Sequence, residues 1–250
     1  MSNILRIATL NIHKGVTHFS ARLALQHQYD LLQKTHADIV FLQEVRDVHT
    51  KHKQRFPAWP ALGQAEFLAS AMQAEYAYGK NAVYPAGHHG NVILSKHPIM
   101  HHHNLQISAH VSEQRGMLHC EIAMPHWHSS LHAVCIHLGL FSQWRQTQLR
   151  AIANYIEQAI PAHAPLIIAG DFNEWRKHGL LHFAQHLQLH EAFEHHTGKP
   201  ARSFPSWLPM LRLDRIYMRG FQVKHVEVHA GAHFLQVSDH AMLSATLIKI

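Results

Sequence analysis

The 250-residue sequence lacks the features of a membrane-spanning or disulfide-stabilised protein. It has no apolar run long enough to cross a bilayer. Residues 1–6 do not form a basic segment followed by an apolar stretch, so no secretory signal is expected. Only Cys120 and Cys135 are present, and both lie in apolar, strand-like contexts. We therefore expect buried free thiols and a cytoplasmic protein.

The sequence also has no internal repeat, no low-complexity tract and no linker. Segments with strand and helix patterns alternate without a break in composition, so we predict one domain over residues 1–250. Many short strands with only a few helices favour an α/β fold in which two sheets pack together with helices outside.

Acidic residues are scarce, with 16 Asp and Glu against 22 Lys and Arg. The net charge of +6 and pI near 9.4 suit an anionic partner, nucleic acid or a membrane surface, without choosing between them. The 29 histidines make the surface charge depend on pH. The runs at 101–103 and 195–196 lack the spacing of a structural zinc site, so we interpret them as solvated loops.

The periodicity of apolar residues predicts the order of the secondary-structure elements. Helices are expected at 22–36, 66–76 and 144–160, and over most of 175–196. Strands are expected at 4–12, 38–45, 90–99, 115–124, 130–140, 166–169, 212–219, 222–229 and 241–250. Residues 51–60, 81–89 and 203–211 are interpreted as loops because of their proline and polar content.

Residues 166–173 (LIIAGDFN) are the most informative stretch of the chain. The apolar run is typical of a strand buried on both faces, and Asp171 and Asn173 follow directly. Residues two apart in an extended chain point to the same side, so the carboxylate and the amide emerge together. By themselves they could belong to a solvated turn or to a functional site.

Polar groups end several other apolar runs in the same way. Each has an ordinary structural explanation, as a turn cap, a solvated carboxylate or a hydrogen-bonded core histidine. Together, acidic groups at the ends of several buried strands require a compensating charge. The set comprises Asn11, Glu44, Asn91, His137, Asp214, Asp239 and His240.

A divalent cation would supply that charge. Carboxylate and amide oxygens with water suit Mg²⁺ or Mn²⁺, which also bind phosphate. Two histidines beside such a metal are sufficient for acid–base chemistry near neutral pH. These residue types therefore indicate metal-assisted hydrolysis of a phosphoester.

Seven short motifs occur in an order that resembles the endonuclease/exonuclease/phosphatase superfamily, which has the deoxyribonuclease-I-like fold. The resemblance covers essentially the whole chain. Four further segments, 13–15, 78–91, 115–120 and 204–217, resemble a bacterial branch of that superfamily. The seven motifs are TLNI (9–12), LQEV (42–45), GNVILS (90–95), IHLG (136–139), GDFN (170–173), LDRIY (213–217) and SDH (238–240).

The resemblance implies a four-layer α/β sandwich, in which two mixed β-sheets lie face to face and are flanked by helices. It implies that Glu44 is the principal ligand of Mg²⁺ or Mn²⁺, with Asn11, Asp239 and Asp171 as further ligands. It also implies that Asp171 and Asn173 orient the nucleophile and contact the phosphate or a second metal.

The same resemblance implies catalytic and phosphate-binding roles. His240 is expected to be the general base, paired with Asp214 or with Asp171. His137 is expected to contact the phosphate or to act as the general acid. Arg115 is expected to clamp the phosphate, with Asn91 as a polar contact beside it and Asn173 as another phosphate contact.

The substrate stays open between two phosphodiester classes. Nucleic acid is favoured by the net charge and by aromatic residues near basic ones, although both stretches also suit solvated loops. A phospholipid is favoured by the apolar loop at 204–211, just before Asp214, although that loop could instead pack on the sheet edge. The basic and aromatic residues are Lys53, Arg55, Phe56 and Trp59, and Trp207, Arg212 and Arg215.

We therefore expect an endonuclease-like phosphodiesterase that is a cytoplasmic monomer without a transmembrane segment. The first alternative is a phospholipid or phosphoinositide phosphodiesterase or phosphatase with a peripheral contact at the inner membrane surface. The second is a non-catalytic phosphate-binding module. It is disfavoured because the metal carboxylate Glu44 and the final pair Asp239 and His240 are all retained.

Overall fold

Two mixed six-stranded sheets form the centre of the computed structural model, which describes residues 3–17, 22–60, 63–176 and 178–250. The first sheet contains β1 (Ile4–Asn11), β2 (Ile39–His49), β3 (Glu75–Tyr84), β4 (Gly87–Ser95), β11 (Phe221–His229) and β12 (Met242–Lys249). The second contains β5 (Ile99–Gln106), β6 (Gly116–Ile122), β7 (Leu131–His137), β8 (Leu166–Asp171), β9 (His190–Glu191) and β10 (Asp214–Arg219).

The described part of the chain has six helices, α1 (Leu25–Thr35), α2 (Thr50–Arg55), α3 (Gln64–Met72), α4 (Ser142–Ala159), α5 (His178–His186) and α6 (Ala192–Thr197). Helices α1 and α3 cover the outer face of the first sheet, and α4 and α5 cover that of the second. Helix α6 packs Ala192 and Phe193 into the core between the sheets. Short 3₁₀ turns lie at His13–Gly15 and Ala232–Gln236. The predicted four-layer α/β sandwich is confirmed.

Alternation along the strands separates the apolar side chains into three cores. In β1, Ile7 points between the sheets, whereas Leu10 points outward to the layer that contains α1 and α3. In β8, Ile167 points inward and Ile168 points outward to the layer that contains α4 and α5. Both faces of these central strands are therefore apolar, which explains their continuous hydrophobic runs.

The strand order places corresponding strands of the two sheets on top of one another. The first sheet runs β11-β12-β1-β2-β4-β3, and the second runs β5-β6-β7-β8-β10-β9. Contacts between the sheets match β12 with β10, β1 with β8, β2 with β7, and β4 with β6. This stacking matters for the site, because residues at the ends of stacked strands meet in rows.

Helix α4 forms for the reason its sequence predicts. Leu149, Ile152, Ala153 and Ile156 recur at helical spacing and are buried against the second sheet. Helix α3 ends earlier than predicted, because Gln73 adopts a left-handed conformation with φ of 52°. The chain then enters the edge strand β3.

The prediction of a loop is wrong, in whole or in part, for three segments. Residues 81–84 and 87–89 pair as the β3–β4 hairpin, with only a short turn at Pro85. The histidines at 101–103 belong to the edge strand β5, where pairing to β6 on one side leaves polar side chains in solvent. Residues 50–55 form α2 instead of a loop.

Both thiols are buried and free, as predicted. In the part of the chain that the structure describes, no helix has the length and apolarity needed to cross a membrane.

Candidate active site

The residues that were expected to form the site meet at one edge of the sandwich. They follow the stacking of the strands, so the site is a row with two distinct ends. Asp214 at the start of β10 and His240 before β12 form one end. Arg115 before β6 and Asn91 in β4 form the other. Between the ends lie Asn11 and Asp171 of β1 and β8, and then Glu44 and His137 of β2 and β7.

The backbone around Asp171 is shaped to hold its carboxylate in place. Gly170 has a φ of 144°, and a Cβ there would collide with the carbonyl oxygen of Ile136 on β7. Asn173 turns the chain with a φ of 49° and donates its backbone N–H to Asp171 Oδ1 at 2.9 Å. Asn173 Nδ2 donates to the carbonyl oxygen of Leu138 at 2.9 Å, which ties this turn to the end of β7.

Asp171 lies at the centre of the buried polar groups. Its Oδ2 accepts a hydrogen bond from Asn11 Nδ2 at 3.2 Å and lies 3.5 Å from His137 Nε2 and 3.8 Å from His240 Nε2. Burial raises the pKa of the Asp171 carboxyl to about 7; the charge of Asp214 acts in the same direction, and that of His240 opposes it. Asp171 therefore exchanges a proton near neutral pH.

His240 and Asp214 form a buried pair. The ring Nδ1 lies 2.9 Å from Asp214 Oδ2, which leaves Nε2 facing Asp171. Burial alone would lower the pKa of His240, but the charges of Asp214 and Asp171 outweigh it and raise the pKa to about 10. The ring of Phe204 packs beside the imidazole, with centroids 5.1 Å apart. A carboxylate on Nδ1 orients the histidine for proton transfer at Nε2.

Two basic residues that were not predicted pair with the expected metal ligands. Lys14 Nζ lies 3.3 Å from Glu44 Oε2, and His13 Nδ1 lies 2.9 Å from Asp239 Oδ2. Burial would raise the pKa of Glu44, but the positive charges of His137, Lys14 and others outweigh it and lower the pKa well below its usual range. The pKa of Asp239 is lowered too. Burial opposes this lowering, and the hydrogen bond from His13 causes it. Both carboxylates are therefore ionised.

The donor set fits a hard divalent cation. Among the described residues, the buried Glu44 Oε2 has the ion pair with Lys14 but no hydrogen bond of good geometry, so this ionised oxygen could also bind a cation. Asn11 Oδ1 faces the same turn, where it accepts the backbone N–H of His13 at 3.0 Å. The predicted ligands of the cation therefore stay Glu44, Asp239, Asn11 and Asp171.

A second group of donors has the spacing of a metal site. One ligand atom each from Asp171, Asp214 and His240 lies within 4.8 Å of the others. The short contact between His240 Nδ1 and Asp214 Oδ2 already uses one donor atom of each residue. This group is therefore better suited to proton transfer than to holding the cation by itself.

Asn91 supports the far end of the row. Its Nδ2 donates to the carbonyl oxygens of Gly116 at 2.8 Å and Cys135 at 3.4 Å, and so ties β4 to β6 and β7. Both hydrogens of this amide are used within the protein, which favours a supporting role over a direct phosphate contact. Arg115 lies beside it, with Nε 3.7 Å from Glu113 Oε1.

His89 is a member of the site that the sequence analysis missed. Its ring borders the same small space as Glu44, Asn91, Arg115 and His137. Burial lowers the pKa of His89 to about 4, with further lowering by nearby positive charges and opposition from Glu44, so the ring is neutral. The available signal was its position two residues before Asn91, which puts both on one face of a strand.

A buried hydrogen-bond network holds the loop after β7. Arg145 of α4 donates to Glu174 Oε2 at 3.2 and 2.8 Å and to the carbonyl oxygen of Gly139 at 3.2 Å. Gln148 accepts the backbone N–H of Gly139 at 2.8 Å and donates to Glu113 Oε2 at 2.8 Å. Helix α4 therefore connects the turn after Asn173 with the segment that carries Arg115.

The predicted nucleic-acid contacts are partly wrong. Trp59 and Arg215 are buried, and Arg215 donates to the backbone oxygens of Asp214 and Glu174, so both residues have structural roles. The side chain of Lys53 lies outside the described part of the chain.

The loop at 204–211 is anchored at its start and exposed at its tip. Ser206 donates through its backbone N–H to the Asp239 carbonyl oxygen at 2.7 Å and through Oγ to the Ser238 carbonyl oxygen at 2.6 Å. Trp207, Leu208, Met210 and Leu211 are 40–58% exposed. An apolar, solvent-facing loop therefore lies next to the His240 end of the row.

Comparison with known proteins identifies the family of the chain. The model of the "Endonuclease/Exonuclease/phosphatase family" matches residues 8–240. The chain is 41% identical to the protein YbhP of Escherichia coli strain K12 over 242 residues, which is 97% of this chain and 95% of that protein.

Solved structures show the same fold at low identity. An endonuclease/exonuclease/phosphatase from Beutenbergia cavernae superposes with a TM-score of 0.75 at 18% identity, over 98% of this chain and 72% of that one. TDP2 of D. rerio, in complex with single strand DNA product, superposes with a TM-score of 0.70 at 20% identity, over 98% of each chain.

Proposed function

The chain belongs to the endonuclease/exonuclease/phosphatase family, whose members hydrolyse phosphoester bonds, and on that premise we propose that it is an Mg²⁺- or Mn²⁺-dependent phosphodiesterase acting on nucleic acid. The row of polar residues from the Asp214–His240 pair to Arg115 carries the proposal. One end of the row has proton-accepting groups, and the other has a guanidinium that suits a phosphate.

Residues at the centre of the row would hold the cation and the phosphate. Glu44, Asp239 and Asn11 supply oxygen ligands, with Asp171 beside them. When bound, a divalent cation would polarise a phosphoryl oxygen and offset the charge of the carboxylates. His137 of β7 and Arg115, just before β6, belong to the second-sheet side of the row, from which they would donate hydrogen bonds to the phosphate.

Asp171 and His240 handle the proton of the attacking water. Asp171 and Asn173 orient the water, and Asp214 holds the ring of His240 through Nδ1. As the water oxygen forms its bond to phosphorus, its proton passes to the Asp171–His240 pair. Because the pKa of His240 is raised to about 10, its ring already carries a proton, and the Asp171 carboxylate, 3.8 Å from Nε2, is the group of the pair that takes the proton of the water.

Nucleic acid is the preferred substrate because the chain carries a net charge of +6 and because a family relative, TDP2, has been captured with single strand DNA product. A phospholipid is the second candidate. The observation that favours it is the exposed apolar loop of Trp207, Leu208, Met210 and Leu211 beside the His240 end. For either substrate we propose a cytoplasmic monomer. If the substrate is a phospholipid, the protein would also make a peripheral contact with the membrane.

A paired assay distinguishes these substrates. Supercoiled plasmid and vesicles of mixed bacterial phospholipids are each incubated with the protein and Mg²⁺, and His240→Ala serves as the control for contaminating enzymes. Plasmid nicking by the wild type alone supports the nuclease. Release of head groups alone supports the lipid enzyme. Equal activity of His240→Ala and wild type on both substrates would contradict hydrolysis at this site.

A further inference from the structure

His89 lies at the end of the site that the proposed proton transfer does not use. It belongs to β4, which stacks on β6, whereas the Asp214–His240 pair belongs to β10 and the segment before β12. Glu44 and His137 lie between the two ends. His89 therefore lies at the end of the row opposite the Asp214–His240 pair, next to Glu44 and His137.

Among the described residues, two buried nitrogens at this end have no hydrogen-bond partner, although Arg115 Nε lies 3.7 Å from Glu113 Oε1. They are Nδ1 of His89 and Nε of Arg115. Both residues border the same space, of about 10 Å³, which suits a single oxygen atom. A buried polar atom without a partner is costly, so its retention indicates that a ligand supplies the partner.

Two other histidines of the chain form the side-chain hydrogen bonds expected of a structural role. His88, the preceding residue, makes a hydrogen bond between Nδ1 and the Tyr78 hydroxyl at 2.8 Å. His119 is hydrogen-bonded through both ring nitrogens, to Tyr155 and His132, at 3.0 Å each. His89 differs from both because its Nδ1 faces the site without such a partner.

Phosphodiester hydrolysis places the attacking and leaving oxygens on opposite sides of phosphorus. The water is expected beside Asp171 and His240, so the leaving oxygen is expected at the His89 end. The side chains there are polar, including Asn81 and Gln114. This lining suits a hydroxyl-rich or charged leaving group such as a nucleotide sugar, and not an acyl chain.

We propose, on the basis of the phosphodiesterase function proposed above, that His89 and Arg115 form the leaving-group subsite, in which His89 Nδ1–H donates a hydrogen bond to the departing oxygen. The P–O bond breaks at this end and its electron pair goes to that oxygen. His89 keeps its proton, and the leaving oxygen takes a proton from solvent.

Two substrates with different leaving groups test the subsite. Thymidylyl-thymidine releases a sugar alkoxide, which needs stabilisation, whereas thymidine 5′-(p-nitrophenyl phosphate) releases the stable p-nitrophenolate. His89→Ala should lower kcat on the dinucleotide about 10²- to 10³-fold and on the aryl ester about threefold or less. His89→Gln retains a donor and should recover part of the loss.

His88→Gln is the matched control, because it changes the neighbouring histidine on the other face of β4 and should leave both rates near those of the wild type. Circular dichroism and the thermal midpoint verify that each variant folds. Equal losses on the two substrates after His89→Ala would show a structural role and overturn the proposal, as would unchanged rates.

A separate measurement covers the case in which the wild type hydrolyses neither diester, so that the proposed function itself fails. Inorganic phosphate is then titrated with Mg²⁺ while the ring nitrogen resonances of His89, assigned with His89→Gln, are followed by NMR. A saturable shift supports an anion subsite at His89. Resonances that do not move would overturn it.

Discussion

Asp214 Oδ2 lies 2.9 Å from His240 Nδ1, and both side chains are buried at the edge where the two sheets meet. The two residues come from separate segments, Asp214 from the start of β10 and His240 from the turn before β12. Their contact fixes the ring so that Nε2 faces Asp171. The proposed proton transfer depends on this orientation.

Removing the ring should abolish most activity. His240→Ala is expected to lower kcat by about 10²–10⁴-fold, since a positioned acid or base contributes that much. Asp214→Asn should also lower kcat, because a carboxylate no longer orients the ring through Nδ1. Because the two residues act as a unit, the double variant should be no slower than His240→Ala alone. Additive losses in single-turnover rates would contradict the paired role.

Lys14 should weaken the binding of the cation. Its ammonium lies 3.3 Å from Glu44 Oε2 and offsets the charge of that carboxylate. Lys14→Gln is therefore expected to tighten Mn²⁺ binding up to about fivefold, the range of a partly exposed ion pair. The dissociation constant is measured by Mn²⁺ electron paramagnetic resonance without substrate. Weaker binding by the variant would mean that Lys14 supports the cation site in another way.

The buried histidine pair away from the site should make the protein sensitive to acid. Burial, reinforced by His132 and opposed by Glu121, lowers the pKa of His119 to about 4. The unfolded state has an ordinary histidine pKa of about 6.5 and binds the proton first as pH falls. Stability should therefore fall from pH 6.5 towards pH 4, by about 2–3 kcal/mol from this residue.

Urea unfolding at several pH values measures this effect. His119→Gln should flatten the dependence of the unfolding free energy on pH between 6.5 and 4. His101→Gln, which changes an exposed histidine of β5, should leave the slope as in the wild type. An unchanged slope in His119→Gln would assign the acid sensitivity to other groups.

Much of this architecture follows from patterns within the chain. The apolar run of β8 with Asp171 at its end, the stripe on α4 and the ordered motifs all predict features that the structure contains. The family and the four-layer fold are confirmed. The single-domain boundary, the metal and the catalytic roles stay predictions.

The missed features depend on contacts between distant segments. His89 enters the site because β4 stacks on β6, and Lys14 because a 3₁₀ turn carries it towards β2. Trp59 and Arg215 resemble exposed binding residues in sequence, but the packing of their neighbours buries them. The edge strand β5 is polar because it pairs on one side only, so its pattern resembles a loop.

The dependence of phosphodiester hydrolysis on Mg²⁺ tests the central claim most directly. The rate is measured over a range of Mg²⁺ concentrations for the wild type, for Glu44→Gln and for Glu157→Gln, which changes a half-exposed glutamate of α4. Glu44→Gln should raise the Mg²⁺ concentration for half-maximal rate by at least about tenfold, as losses around metal sites do. Glu157→Gln should match the wild type. A Mg²⁺ requirement that Glu44→Gln leaves unchanged would contradict a metal site at Glu44.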